Sequence, residues 1–288
     1  MELIFDYMRN DEQRHMLNEL TQKTFWFNFE DWVVNGYFEG DYIPYSFAED
    51  GRIISNVSVN RMQFIQNGVR RDYIQLGTVM TDEAHRKQGL AARLIKTVLE
   101  KYSDECDGIY LFGNLSALGF YRKMGFSEIK QYRYTLKKDC PIPSCEMRFR
   151  QADSSMKQKY MDAVRHSAVN SSLEQTNKFG LQMFYTADLS GVYYAEDIDC
   201  FIVMKEENGT AELQSVICGR SIPLTEVLSR IPAGYDTLRL GFSPAARDAD
   251  LFDTQPFDGA DDYRLFCCGK HIAEIEKERL YFPELSHA

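Results

Sequence analysis

The sequence predicts an α+β fold of layered strands and helices in two tandem lobes, and three observations lead there. Strand and helix signals alternate quickly over residues 3–137. The same order of signals returns after residue 146. Between the two, Cys140-Pro141-Ile142-Pro143-Ser144-Cys145 carries two prolines that interrupt any continuing element, so residues 140–145 read as a linker. The expected domains are therefore 1–139 and 146–288, and 288 residues suit two domains of ordinary size.

In the first half, Leu3 to Met8 is a short apolar strand, and Asn10 or Asp11 can cap the helix after it, where Met16, Leu17 and Leu20 recur at helical spacing. An aromatic, acidic segment, Phe25 to Trp32, follows. Three strands come next: Tyr42 to Ala48, Ile53 to Ile65 and Asp72 to Thr81, separated by Asp50-Gly51 and Asn67-Gly68, which are hairpin signals between alternating runs. A loop then runs into a helix whose Leu90, Leu94, Ile95, Val98, Leu99 and Tyr102 form one apolar stripe. The strand Gly108 to Gly113, the short helix Ser116 to Met124, a Gly125 stop and a strand from Ile129 to Leu136 complete the half.

The second half repeats the order strand, helix, helix, three strands, helix, strand. Its pieces are Met147 to Arg150, a helix capped by Asp153, a helical stretch around Leu181 to Phe184, the strands Val192 to Ala195, Cys200 to Lys205 and Ala211 to Cys218, a helix around Leu224 to Ile231, and the strand Thr237 to Phe242. The two halves look like a diverged repeat.

Composition excludes several classes. Hydrophobic content of 44% and charged content of 26% are globular values, and no apolar run approaches the ~20 residues of a bilayer span. The start, Met1 to Asp6, has no basic-then-apolar pattern of a secretory signal. Seven scattered cysteines without a CxxC pair fit reduced thiols and a cytoplasmic setting. The net charge of −10 divides into −2 over residues 1–139 and −8 over the remainder, which argues against nucleic-acid binding and suits a cationic substrate as well as simple solubility. The run Asp248, Asp250, Asp253, Asp258, Asp261 and Asp262 lacks the spacing of a calcium loop, and the five histidines show no metal spacing, so no metal is expected.

The chemistry concentrates at Arg86-Lys87-Gln88-Gly89-Leu90-Ala91, where a strand hands over to an amphipathic helix. First-turn N–H groups have no intrahelical partner and sit at the positive end of the dipole. Gly89 and the small Ala91 allow close approach to the backbone, and Arg86 and Lys87 add positive charge, so the segment suits a pyrophosphate.

Thr78-Val79-Met80-Thr81 before this cradle, Asn114-Leu115-Ser116-Ala117 after the next strand, and Phe120-Tyr121-Arg122-Lys123-Met124-Gly125-Phe126 complete a pattern. It resembles the GNAT acetyltransferases, whose signature is Arg/Gln-x-x-Gly-x-Gly/Ala after a strand, then Asn-x-x-Ala-x-x-x-Tyr and a Gly-Phe. Arg86, Gly89 and Ala91 fill the first motif, and Asn114, Ala117, Tyr121, Gly125 and Phe126 the second, over residues 3–137. The resemblance implies a mixed central sheet flanked by helices, acetyl-CoA as cofactor and acetyl transfer to an amine, and a primary amine of a small acceptor is expected. By the same resemblance, backbone groups of Val79, Met80 and Thr81 hold the pantetheine arm. Arg86, Lys87, Gln88, Gly89, Leu90, Ala91 and Ala92 hold the pyrophosphate, and Asn114 contacts the cofactor arm. Tyr121 matches the tyrosine that protonates the departing thiolate, a role that suits a phenol still protonated at pH 7.

The general base does not transfer, because Tyr73 to Met80 has no carboxylate in the strand interior. Glu30 or Asp31 is one alternative. The other follows a distant resemblance to the enhanced-intracellular-survival aminoglycoside acetyltransferases, in which a C-terminal carboxylate enters the first lobe's site and Ala288 would stand in that place. Trp26, Phe29, Trp32 and Tyr37 with Glu30, Asp31, Glu39 and Asp41 form an aromatic, acidic wall for a cationic amine, although the same rings suit core packing. In the second half, Cys218-Gly219-Arg220-Ser221-Ile222-Pro223 replaces the cradle without its spacing, so that lobe reads as a degenerate GNAT-like copy, with a sterol-carrier-like domain as the runner-up. A function of another class stays open: a catalytically silent acyl-CoA-binding sensor or scaffold acting through the acidic second lobe.

Overall fold

A computed structural model describes residues 1–232 and 234–288. The first half opens with β1 (Glu2–Phe5), α1 (Asp11–Phe25), α2 (Glu30–Val34), β2 (Tyr42–Glu49), β3 (Arg52–Gln66) and β4 (Val69–Thr81). It continues with α3 (Leu90–Tyr102), β5 (Gly108–Asn114), α4 (Leu118–Lys123), β6 (Ser127–Ile129) and β7 (Gln131–Leu136). The second half contributes β8 (Arg150–Gln151), α5 (Lys157–Arg165), β9 (Leu173–Gln175), α6 (Phe179–Thr186), β10 (Val192–Ala195), β11 (Cys200–Glu207) and β12 (Thr210–Cys218). It ends with α7 (Leu224–Leu228), β13 (Thr237–Leu240), β14 (Phe252–Phe257), β15 (Tyr263–Cys268) and α8 (Glu274–Lys277).

Local chemistry sets the ends of these elements. The Asn10 side chain accepts a hydrogen bond from the Gln13 N–H at 3.0 Å and caps α1, which ends where Trp26 turns left-handed at φ +63°. The apolar stripe of α3 is buried through Leu90, Leu94, Ile95, Val98 and Tyr102, packed on the sheet through Val57, Val59, Ile74 and Leu76.

Among the described residues two sheets form, and each takes in the last strand of the other half. The first runs β1-β2-β3-β4-β5-β15-β6, and β9 pairs with β3 beside it; the second runs β14-β7-β13-β12-β11-β10-β8. In the first, β15 separates β5 from β6. In the second, β7 separates β13 from β14. The exchange is reciprocal, since each half sends its last strand to the same relative place in the other's sheet. In each sheet one crossover pair is parallel, β4 with β5 and β12 with β13. The second sheet thus repeats the strand order of the first.

This arrangement corrects two expectations. The strand read as Ile129 to Leu136 is two strands broken at Lys130, one in each sheet, because a single alternating run cannot reveal that its partners lie in different sheets. Residues 140–145 are outside strands and helices as expected, yet cutting there does not separate 1–139 from 146–288, whose sheets interlock. The strand expected at Met147 to Arg150 is the two-residue β8, later by a few positions.

Candidate active site

The site begins where β4 and β5 part. They pair only through Tyr73–Gln75 and Gly108–Tyr110. Further along, Asn56 faces Met80 and Ser58 faces Gly77, so Thr78 and Val79 share the single partner position of Val57 in a β-bulge. Thr78 sits at φ +41°, a conformation that costs a β-branched residue about 1–3 kcal/mol. Hydrogen bonds hold it there. Tyr42 Oη lies 2.8 Å from the Thr78 hydroxyl, which donates to Ser58 Oγ at 2.6 Å, and Asn56 Nδ2 donates to the Thr78 carbonyl at 3.0 Å. Behind them Ser46 donates to Asn56 Oδ1 and meets Tyr7, all buried. The bulge splays the strands and opens a cleft of about 220 Å³, bordered by Gly77, Val79, Leu111, Asn114 and Tyr121.

Tyr121 projects from α4 into this cleft and is 6% exposed. Its ring approaches Gly113 so closely that a Cβ there would stand 2.8 Å from Cε2. Burial pushes the phenol up to about 12, so it stays protonated at neutral pH.

The chain's last residues cross the same opening. Leu280, Tyr281 and Phe282 are buried, with Phe282 stacked 4.2 Å from Tyr110 and its N–H donated to Gln131 Oε1 at 2.9 Å. His287 stacks on Phe112 at 3.8 Å. Burial lowers its imidazole to about 3, and its buried Nε2 has no partner among the described residues. Ala288 ends against Gly77, where a Cβ would meet the Ala288 oxygen at 2.5 Å, and Gln75 Nε2 donates to that oxygen at 3.2 Å. Gly77 is therefore a place where the tail lies directly on the strand.

The cradle has the form that an anion needs. Lys87 is left-handed at φ +63° and Gly89 at φ +74°, and no side chain caps α3. Arg93 donates the first intrahelical bond, to Gly89 at 3.1 Å, so the N–H groups of Leu90, Ala91 and Ala92 face outward at the positive end of the dipole. Arg86, Lys87, Gln88 and Gly89 are exposed, with Arg86 donating to the Thr81 carbonyl at 3.3 Å. Val79 lines the cleft, whereas the Met80 side chain is buried in the core and Thr81 Oγ1 pairs with Ser55, which leaves those two only their backbone for a ligand. Asn114, at the end of β5, borders the cleft. The open first-turn amides of α3 suit a phosphate-bearing cofactor.

The second lobe closes the equivalent position. The Leu224 N–H at the start of α7 is taken by Asp248 Oδ1 at 3.1 Å, and the Ile222 N–H by Asn170 Oδ1 at 2.9 Å. Its own carboxylate occupies the anion's place.

A second cavity of about 210 Å³ adjoins the cleft and shares Phe25, Thr78, Tyr185, His287 and Ala288 with it. Here the expected substrate wall is corrected in part. Phe29 lines this cavity together with Trp32. Trp26 does not, because its left-handed cap leaves the side chain outside, 83% exposed. Glu30 is held away from the site by Arg14, whose Nη2 donates at 2.8 Å, and by Asn18. The Arg14 guanidinium keeps the Glu30 carboxyl below the ordinary carboxylate range. Asp31 is exposed on α2. Glu39 and Asp41 border a separate small pocket beside Trp32, so the lining of this cavity is aromatic without being acidic, and neither Glu30 nor Asp31 reaches the cleft as a base.

Sequence reading missed His287, Gly77, Gly113 and the α6 residues Leu181, Phe184 and Tyr185. The two glycines show their role only once Tyr121 and Ala288 lie on them. Residues of α6 reach the site from more than 100 positions away in sequence, and no local spacing marks them. Among the described residues, no helix is long and apolar enough to cross a membrane, and no group of three His, Cys, Asp or Glu is placed to hold a metal ion.

Residues 5–126 match the Acetyltransferase (GNAT) family. N-alpha-acetyltransferase 30 of Dictyostelium discoideum is 33% identical over 89 residues, which are 29% of this chain and 44% of the relative, so the likeness spans less than half of that protein. Over the whole fold, a GCN5-related N-acetyltransferase from Kribbella flavida superposes with a TM-score of 0.58 at 15% identity, covering 92% of this chain and 70% of the other. Eis1 from Mycobacterium abscessus gives 0.57 at 12%, covering 92% and 73%. At these identities the two structures speak for the fold.

Proposed function

We propose that this chain, whose residues 5–126 belong to the GNAT acetyltransferase superfamily, transfers an acetyl group from acetyl-CoA to a primary amine. The observation that carries the reading is the convergence of the Thr78 bulge, Tyr121 and Ala288 on one cleft, with the open amides of α3 following the bulged strand in sequence. Bound acetyl-CoA supplies an activated acyl thioester. The cradle from Arg86 to Ala92 binds its pyrophosphate, and the backbone of Val79, Met80 and Thr81 with Asn114 orients the arm, so that a bound amine attacks without a covalent enzyme intermediate.

The amine nitrogen bonds to the carbonyl carbon, the carbon–sulfur bond breaks, and Tyr121 donates to the departing sulfur. Because burial raises the phenol to about 12, above an ordinary thiol, Tyr121 acts as general acid chiefly through a hydrogen bond that strengthens as negative charge develops. The ammonium proton goes to a carboxylate on Ala288, a role that requires a free carboxyl group at that residue. Support for this comes from its contact with Gly77 and Gln75 and from the lack of any side-chain carboxylate lining either cavity. Free thiols at all seven cysteines suit a cytoplasmic setting.

The deciding experiment incubates the protein with acetyl-CoA and a panel of amines, including peptide α-amines in view of the N-alpha-acetyltransferase likeness, and measures free thiol. Amine-dependent release is expected. Tight CoA binding without release across the panel would instead favour the silent sensor or scaffold. Deleting Ser286 to Ala288, or adding residues after Ala288, should lower kcat strongly. Unchanged kcat and folding in both variants removes the base from Ala288.

A further inference from the structure

The cavity beside the cleft has an unusual division of chemistry. Its far wall is made of Phe27, Phe29, Trp32, Leu181 and Phe184. These rings interlock: Phe27 meets Phe184 edge-on at 5.6 Å, and Trp32 meets Phe184 at 5.9 Å. The polar atoms of that wall are already engaged. Trp32 Nε1 donates to the Gly180 carbonyl at 2.8 Å, and Tyr42 Oη pairs with Thr78. Every remaining polar group stands at the opposite end, where Thr78, Tyr185, His287 and Ala288 border both this cavity and the cleft.

That end is where the acyl carbon would be attacked, so an acceptor with its nitrogen there must place its carbon body among the rings. No side-chain carboxylate lines the cavity. A second ammonium carried among these rings would meet no counter-charge, which disfavours a polyamine there. The volume of about 210 Å³ is enough for one ring on a short chain.

Resting on the acetyl-transfer reading, we propose that the acceptor is a hydrophobic monoamine, an aryl-alkyl or branched-alkyl primary amine whose body fills the aromatic cavity and whose nitrogen meets Ala288 where the cavity joins the cleft. This is a narrower class than the cationic acceptor suggested by the acidic residues of the sequence, because Glu30 and Asp31 lie outside the cavity.

Two readouts test the class independently of each other. The first is binding: Trp32 fluorescence, read in a Trp26→Phe background, is titrated with phenethylamine and with spermidine in the presence of CoA. Saturable phenethylamine binding at least 30-fold tighter than spermidine is expected. Absence of phenethylamine binding at millimolar concentration, or tighter spermidine binding, overturns the proposal. The second is turnover, as kcat/KM for phenethylamine, isoamylamine, spermidine, glucosamine and a tetrapeptide starting with methionine. The two monoamines should lead by at least tenfold, and a lead for the polyamine, the sugar or the peptide overturns the assignment. If phenethylamine binds yet no amine releases thiol, the cavity assignment stands and the transfer reading falls. Phe184→Glu, checked by retained CoA affinity, should reverse the preference toward spermidine. Phe184→Ala, expected to lose at least tenfold in phenethylamine affinity, serves should the glutamate variant not fold.

Discussion

The ring of Tyr121 lies over Gly113 at a distance that leaves no room for a Cβ, which would stand 2.8 Å from Cε2 and 2.9 Å from Cδ2. Gly113→Ala must therefore push the ring and α4 outward, at a cost of about 1–3 kcal/mol in stability. The cradle is on another element, so affinity for CoA should change by less than about threefold while kcat falls by about tenfold, the scale of a misplaced catalytic group. Steady-state kinetics beside a CoA titration check this split, and an unaltered kcat would count against Tyr121.

Replacing the phenol itself should cost more. Tyr121→Phe removes the hydrogen bond to the leaving sulfur, and a fall in kcat on the order of 100-fold is expected for a lost general acid. Burial sets the pH dependence. A phenol that ionises only near pH 12 stays protonated from pH 6 to pH 10, so Tyr121 contributes no alkaline decline in that window. A kcat profile with a decline near pH 9 that vanishes in Tyr121→Phe would contradict the assignment.

The reciprocal strand exchange predicts that the halves fold as one unit. A chain ending at Asp139 keeps β5 but loses β15, its six-residue partner from Tyr263 to Cys268, and leaves β7 without β13 and β14. Exposed edges of this kind aggregate. Residues 1–139 alone should be insoluble or melt without a cooperative transition, and co-expression with residues 140–288 should restore a soluble pair that binds CoA. A stable, monomeric 1–139 fragment on gel filtration would show that the borrowed strand is dispensable.

How much was legible in sequence follows from the range of each interaction. The cradle and Tyr121 were readable because their residues are neighbours whose spacing is the motif. Hairpin turns at Asp50-Gly51 and Asn67-Gly68 were readable for the same reason, both pairs being left-handed in the structure. The exchange of β7 and β15 was not, since a strand's alternation records that one face is buried and says nothing of which sheet covers it. Glu30 misled because a carboxylate near aromatic residues suggests an amine site, and only the fold shows Arg14 already holding it. The aromatic residues gave half of a pocket whose other half, on α6, arrives from the second lobe.

His287 supplies a last test, on how the tail is held. Its imidazole is lowered to about 3 by burial, against about 6.5 in an unfolded chain. Between those values a released tail binds a proton that the docked tail refuses. Docking stability is therefore full above about pH 6.5 and falls on acidification, by up to about 1.4 kcal/mol per pH unit down to about pH 3. Glu212, raised by its own burial, works in the opposite sense, gaining stability as it protonates. Comparison with His287→Phe, which keeps a ring to stack on Phe112, isolates the imidazole from the carboxyl groups. Hydrogen exchange of the Phe282 to Ala288 amides at pH 4.5 and pH 7, corrected for intrinsic rates, should show the wild-type tail losing protection on acidification by at least tenfold more than the variant. Equal loss in both proteins would mean that His287 does not hold the tail in its neutral form.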